Sequence, residues 1–224
     1  MKIKTFIWTA ALSAAFIACS KSEDGGELSE FSIRFQPDIY ETAFYASGET
    51  QPLIITSATG QADMVYLSPS THSSISYSNS TGKVRWTKML PLGQTTVTVV
   101  AALDNRETIT TFKVNNNFQG GFTGGYNYDA STETLTHVNF VAQFNSNGTV
   151  AINDDGDLGT GTWQRMQDNT IRFIFSYNSS PAQNYTYQGP LFYNNNVSYI
   201  EGYFYRGSGV VLGQEKGYFR INLH

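Results

Sequence analysis

Between turn-forming residues, the chain from 118 to 224 runs in stretches of mixed apolar and polar side chains, and along 199–205 these divide between two faces with a period of two. That period marks half-buried strands, in which successive side chains point to opposite faces. The stretches predict eight strands: 119–128, 135–144, 148–153, 159–166, 170–177, 184–193, 197–205 and 215–223. Turn chemistry separates them. Asn147-Gly148 is the dipeptide favoured in tight type I′ hairpins, and Asn153-Asp154-Asp155-Gly156-Asp157 joins the third strand to the fourth. Gln167-Asp168-Asn169 and Asn194-Asn195-Asn196 close later hairpins. No helical periodicity interrupts the series, so consecutive strands should pair as a meander. Eight such strands can close into an up-and-down barrel, which abolishes exposed sheet edges.

Residues 28–115 have a shorter rhythm. Strands are predicted at 31–35, 52–56, 64–68, 74–78, 84–88, 95–103 and 108–114, with turn signals such as Ser47-Gly48, Thr59-Gly60 and Asp104-Asn105 between them. Seven short strands in this span have the size of an immunoglobulin-like sandwich. Val97, Val99 and Ala101 fall on one face of their strand, and Trp86 is a candidate core plug. The texture changes from Thr/Val-rich to glycine–aromatic around 114–119, where Asn115-Asn116-Asn117 reads as a short hinge. The expected fold is all-β, a sandwich over 28–115 followed by an eight-stranded barrel over 118–224.

Composition narrows the setting. Aromatic residues equal charged ones at 14% each, a balance that suits β-rich extracellular domains. Removing Lys2 and Lys4 with a leader would leave 12 basic against 18 acidic residues, a net charge near −6. No basic cluster stands out, which argues against nucleic acid as a partner.

The single cysteine rules out a disulfide framework and has a more specific context. Lys2 and Lys4 precede the uncharged run Phe6–Ile17, which is shorter than the roughly 20 residues of a spanning helix but suits a secretory leader. Phe16-Ile17-Ala18-Cys19 resembles the lipobox of bacterial lipoproteins. The resemblance implies a signal peptide at 1–18 and lipid attachment at Cys19, with stable anchoring through several acyl chains. Residues 19–27 are polar and read as a flexible tether. Ser20 and the Lys21–Asp24 stretch are similar to sorting signals of Bacteroides-type surface lipoproteins. That implies an outer-membrane location facing the cell exterior.

Two further resemblances concern the folded part. GKVRWTKMLPLGQTTVTVVA is similar to Ig-like or cadherin-like modules that follow the tether in such lipoproteins and act as spacers. FQGGFTGGY, FNSNGTV, GTGTW and KGYFRINL together resemble the lipocalin-like domains of bacterial lipoproteins. Where true lipocalins carry Gly-x-Trp, this chain has Gly120-x-Phe122 and Gly124-x-Tyr126.

Reactive chemistry is sparse. His72, His137 and His224 are isolated from one another, and no histidine, cysteine and carboxylate cluster has metal-ligand spacing. The Asn/Asp/Gly run at 153–157 offers the oxygen ligands that calcium takes but lacks the loop length and distal Glu of an EF-hand, and the hairpin turn is the favoured reading. Glu201 is the acid embedded in a strand, while Asp129, Glu133, Asp168 and Glu215 lie near turns, so no catalytic carboxylate pair is visible. The expectation is a protein that is not an enzyme and needs no cofactor or metal. Aromatics supply the binding hypothesis, because sugar rings stack on Trp and Tyr faces while neighbouring polar groups bond the hydroxyls. Trp163, Tyr187, Tyr199, Glu201 and Tyr203 are the candidate ligand residues, with Tyr199, Glu201, Tyr203 and Tyr205 on one strand face and Ile200 and Phe204 on the other. The leading expectation is a glycan or other small ligand in the barrel. The alternative is an architectural component that contacts another envelope protein and has no small ligand.

Overall fold

The structure is a computed structural model that describes residues 30–224. The leader, the tether and Cys19 lie outside the described residues. The described chain is all-β, apart from one short 3-10 turn at Gln167–Asn169.

The first part comprises β1 (Ser32–Arg34), β2 (Ile39–Ala43), β3 (Gly48–Glu49), β4 (Ile54–Thr56), β5 (Met64–Leu67), β6 (Ile75–Ser78), β7 (Lys83–Trp86), β8 (Gly93–Leu103) and β9 (Arg106–Asn117). They form a four-stranded sheet in the order β2-β9-β8-β5, a three-stranded sheet β3-β7-β6 and the pair β1-β4. All three sheets feed one hydrophobic cluster. Val97, Val99 and Ala101 of β8 meet Val84 and Trp86 of β7 there, with Ile33 from the β1-β4 pair. Trp86 is a core residue as expected, and its indole N–H donates to Thr42 Oγ1 at 3.3 Å.

Two of these strands, β2 and β3, were not among the expected ones. β2 runs parallel to β9 with Tyr40 opposite Val114. Its partner lies some 70 residues away, and its half-buried pattern carries little alternation to read. The expected hinge is also replaced. Asn115–Asn117 belongs to β9, with all three residues paired to β2 and Asn115 and Asn116 also paired to β8. Asn115 and Asn117 donate from Nδ2 to the two carboxylate oxygens of Glu41 at 2.7 and 2.6 Å, and buried Asn116 donates to the Leu90 carbonyl at 2.7 Å. The asparagines tie strands together.

The second part is a closed barrel of β10 (Gly120–Tyr126), β11 (His137–Phe144), β12 (Thr149–Asp154), β13 (Asp157–Arg165), β14 (Thr170–Tyr177), β15 (Asn184–Tyr193), β16 (Ser198–Arg206) and β17 (Gly217–Leu223), each antiparallel to the next. Each strand begins and ends within about two residues of its expected limits. The Asn147-Gly148 turn differs from expectation, since only Gly148 has positive φ (84°) and the loop is one residue longer than a type I′ hairpin. The tight turn with two positive φ values falls one hairpin later, at Asp155 (49°) and Gly156 (96°).

The barrel interior is packed with rings. Phe122, Phe140, Phe144, Phe173, Phe175, Tyr187, Phe204 and Phe219 are all buried. Glycines make room for them. A Cβ at Gly161 would strike the Ile174 carbonyl and lie 2.7 Å from Phe175 Cβ, so only glycine lets that ring turn inward. One end of the barrel is sealed by the rest of the chain. Phe44 and Leu92 join the barrel cluster from the first part, and Phe118, between β9 and β10, packs on Phe122, Phe144 and Trp163. Tyr45 Oη donates to the Asn194 carbonyl at 2.6 Å and Arg165 to the Leu92 carbonyl at 3.1 Å, fixing this end.

Candidate functional site

The opposite end of the barrel is open. There the inward-facing row of several strands ends in a polar tip. On β12 the row runs Val150, Ile152, Asp154, and on β14 it runs Phe173, Phe175, Tyr177. On β10 it ends at Tyr126, while Tyr185 precedes Tyr187 on β15. These tips surround a recess of about 220 Å³, lined also by Asp157, Ser179 and Phe204.

Asp154 organises the recess. Tyr126 Oη donates to its Oδ2 at 2.8 Å and Tyr177 Oη donates to the same oxygen at 2.7 Å. Asp157 Oδ2 accepts from Ser179 Oγ at 2.6 Å. Tyr187 forms the floor. It is 2% exposed and stacked on Phe140, Phe173 and Phe204, with centroids 5.0–5.3 Å away. Its hydroxyl lines the recess and has no hydrogen-bond partner among the described residues. Burial, followed by hydrogen bonding with Tyr128 and Asp154, holds the Tyr126 phenol far above its ordinary range. Burial and the hydrogen bond to Asp154 do the same for Tyr177, and burial does so for Tyr187. All three phenols therefore stay protonated, two as donors to the carboxylate.

The five expected ligand residues do not converge. Tyr187 is at the recess floor. Trp163 stands at the sealed end, half-buried against Phe118 and Phe144, and its indole N–H donates to the Asn145 carbonyl at 2.8 Å. Tyr199, Glu201 and Tyr203 lie on the outer wall of β16, as the alternation implied. There they are engaged with one another's neighbours. Arg220 sits 4.1 Å over the Tyr199 ring and 3.6 Å from Glu201, Phe192 stacks on Tyr199 at 5.1 Å, and Tyr218 Oη donates to Glu201 at 2.9 Å. Glu201 is thereby paired within the wall. Tyr126, Asp154, Asp157 and Tyr177 were not anticipated as site residues. The available signal was an aspartate ending the apolar row Val150-Ile152, which the turn reading of 153–157 obscured.

A larger groove of about 790 Å³ lies between the two parts, lined by His72, Met89, Pro91, Phe192 and Tyr193. Its histidine is already engaged, with Nδ1 2.8 Å from Ser74 Oγ and accepting from the Ser74 backbone N–H at 3.1 Å. The mouth recess is the smaller cavity but the one where polar groups from several strands converge. No protein-family model matches the chain, and a search of curated proteins finds no match to it either.

Proposed function

We propose that this protein is a non-catalytic, lipid-anchored component of the outer-membrane surface that binds a small ligand, in the first instance a glycan, at the open mouth of its C-terminal barrel. In this reading Cys19 carries the anchor, the first part is an Ig-like spacer and the barrel is lipocalin-like. The unpartnered Tyr187 hydroxyl at the floor of the Asp154 recess carries the proposal. The ring is 2% exposed while its hydroxyl makes no hydrogen bond to the described residues, so the oxygen is free to bond a ligand that enters the recess. The recess is smaller than the roughly 300–1,000 Å³ of pockets for drug-sized molecules, so it suits one sugar ring, such as a chain end. The rings around it supply stacking surface and Asp154 Oδ1 an acceptor.

The barrel pattern also supports a water-facing role. Its interior is apolar, while Gln164, Arg172, Gln188, Glu201 and Arg220 stand on the outside. Membrane-spanning barrels show the reverse, an apolar outer band around a polar lumen.

A second reading rests on the exposed apolar side chains at the mouth end: Tyr128, Val138, Leu158, Val211 and Leu212, the last 86% exposed. They favour an envelope protein seated on the mouth. A glycan array combined with a thermal-shift screen separates the two. Discrete glycan hits with a raised melting temperature support the first reading. An empty array, with co-purification of one envelope protein lost on Leu212→Ser, supports the second.

A further inference from the structure

The recess has an electrostatic property that a neutral sugar does not need. Two carboxylates, Asp154 and Asp157, line it together with five tyrosines, and no lysine, arginine or histidine does. Neither aspartate is in an ion pair among the described residues, where the ion pairs involve Glu49 and Glu201. His137 stacks on Tyr126 at 4.7 Å without lining the recess. Both aspartates are half-buried, and a concave cup with aromatic walls concentrates their field. The phenol rings add to it, since each presents a negative π face. Phenol donors already occupy Asp154 Oδ2, so Oδ1 is an acceptor left for a ligand, and Tyr187, whose hydroxyl makes no hydrogen bond to the described residues, lines the same recess.

We propose that the mouth recess selects a protonated primary amine, carried on a single ring or short chain. The ammonium donates to Asp154 Oδ1 and to the Tyr187 oxygen and lies among the tyrosine rings. A quaternary ammonium would satisfy the rings and the charge but leave both acceptors without a donor. A carboxylate or phosphate ligand would be repelled. This inference rests on the mouth being the ligand site, and it names the charge of the group that enters.

Two matched pairs of probes, cyclohexylamine with cyclohexanol and glucosamine with N-acetylglucosamine, test it on the purified protein. They are titrated at mildly acidic pH, with calorimetry and the aromatic NMR signals of Tyr187 as readouts. The expected result is that each amine binds at least tenfold more tightly than its neutral partner and shifts the Tyr187 signals. Asp154→Asn should remove that preference, and Tyr187→Phe, which keeps the ring in the core, should weaken the amines several-fold. Melting curves establish that both variants are folded, and if Asp154→Asn unfolds, Tyr187→Phe and the salt dependence of amine binding decide. Equal binding of N-acetylglucosamine and glucosamine with Tyr187 shifted would overturn the amine selection and leave the mouth as a sugar site. Amine binding that leaves Tyr187 unshifted, or no amine binding at millimolar concentration, would overturn the inference. If the neutral probes are silent too, the ligand-binding reading of the mouth fails with it.

Discussion

The Tyr177 hydroxyl donates a 2.7 Å hydrogen bond to Asp154 Oδ2 although their strands, β14 and β12, are separated by β13. The bond spans the lumen mouth, where the aromatic packing ends and water begins. It lets the inward faces finish in polar groups without leaving a buried acceptor unpaired. Tyr177→Phe is expected to lower stability by about 1–2 kcal/mol, at the low end for a hydrogen bond to a charged group because the mouth is open to water. Urea unfolding of Tyr177→Phe, Asp154→Ala and the double variant should give a coupling energy of about 0.5–2 kcal/mol. Strictly additive effects would show that the contact does not contribute.

The same phenols set an alkaline limit. Tyr126, Tyr177 and Tyr187 have folded-state pKa values raised above the ordinary value of 10.0. In the unfolded chain they lose protons near that value, while in the folded chain they keep them. The folded state thus binds more protons, and its stability is fully present below pH 10 and declines as pH rises beyond it. Absorbance at tyrosine-ionisation wavelengths should show a group of phenols that titrate only with unfolding. Replacing Tyr177 by Phe should make the decline of stability with pH less steep.

Phe44 seals the other end of the barrel from the first part of the chain, 3% exposed and edge-on to Tyr193 at 5.3 Å. Phe44→Ala should destabilise the protein by about 3–5 kcal/mol, the usual cost of such a truncation in a core. Calorimetric melting is the check. A loss below 1 kcal/mol would mean that the seal collapses onto the gap or is not needed.

The proposed lipid anchor at Cys19 is tested by metabolic labelling with a clickable fatty acid. Label is expected on the wild-type protein, which should partition into detergent, and on no Cys19→Ser protein. Equal labelling of both would place the lipid elsewhere, and absence from both would remove the anchor.

The barrel was legible because its strands bury one face only. Every second residue of Phe219-Arg220-Ile221-Asn222-Leu223 or Ile171-Arg172-Phe173 is apolar, and there the period survives in the sequence. β2 was not legible, since its parallel partner β9 lies far along the chain and neither its length nor its pattern announces the pairing. The asparagine triplet read as a hinge because Asn favours loops, whereas Glu41 supplies acceptors that make it a joint. Candidate ligand residues were chosen by type, and type does not say which end of a strand a residue occupies. Trp163 and Tyr187 sit near opposite ends of the lumen, and Tyr199 is outside it. Asp154 was hidden because it is both the last inward residue of β12 and the first of a turn. Only the pairing of β10 through β14 into one sheet brings it beside Tyr126 and Tyr177.

The most direct measurement is calorimetric titration of the strongest glycan from the array into wild type, Tyr187→Phe, Asp154→Asn, Tyr199→Ala and Tyr203→Ala, each shown to be folded by its melting curve. Binding at the mouth requires that Tyr187→Phe and Asp154→Asn weaken affinity several-fold or more, while the two outer-wall variants bind as wild type does. Full affinity in both mouth variants, with loss in Tyr199→Ala or Tyr203→Ala, would move the site to the outer wall and contradict it.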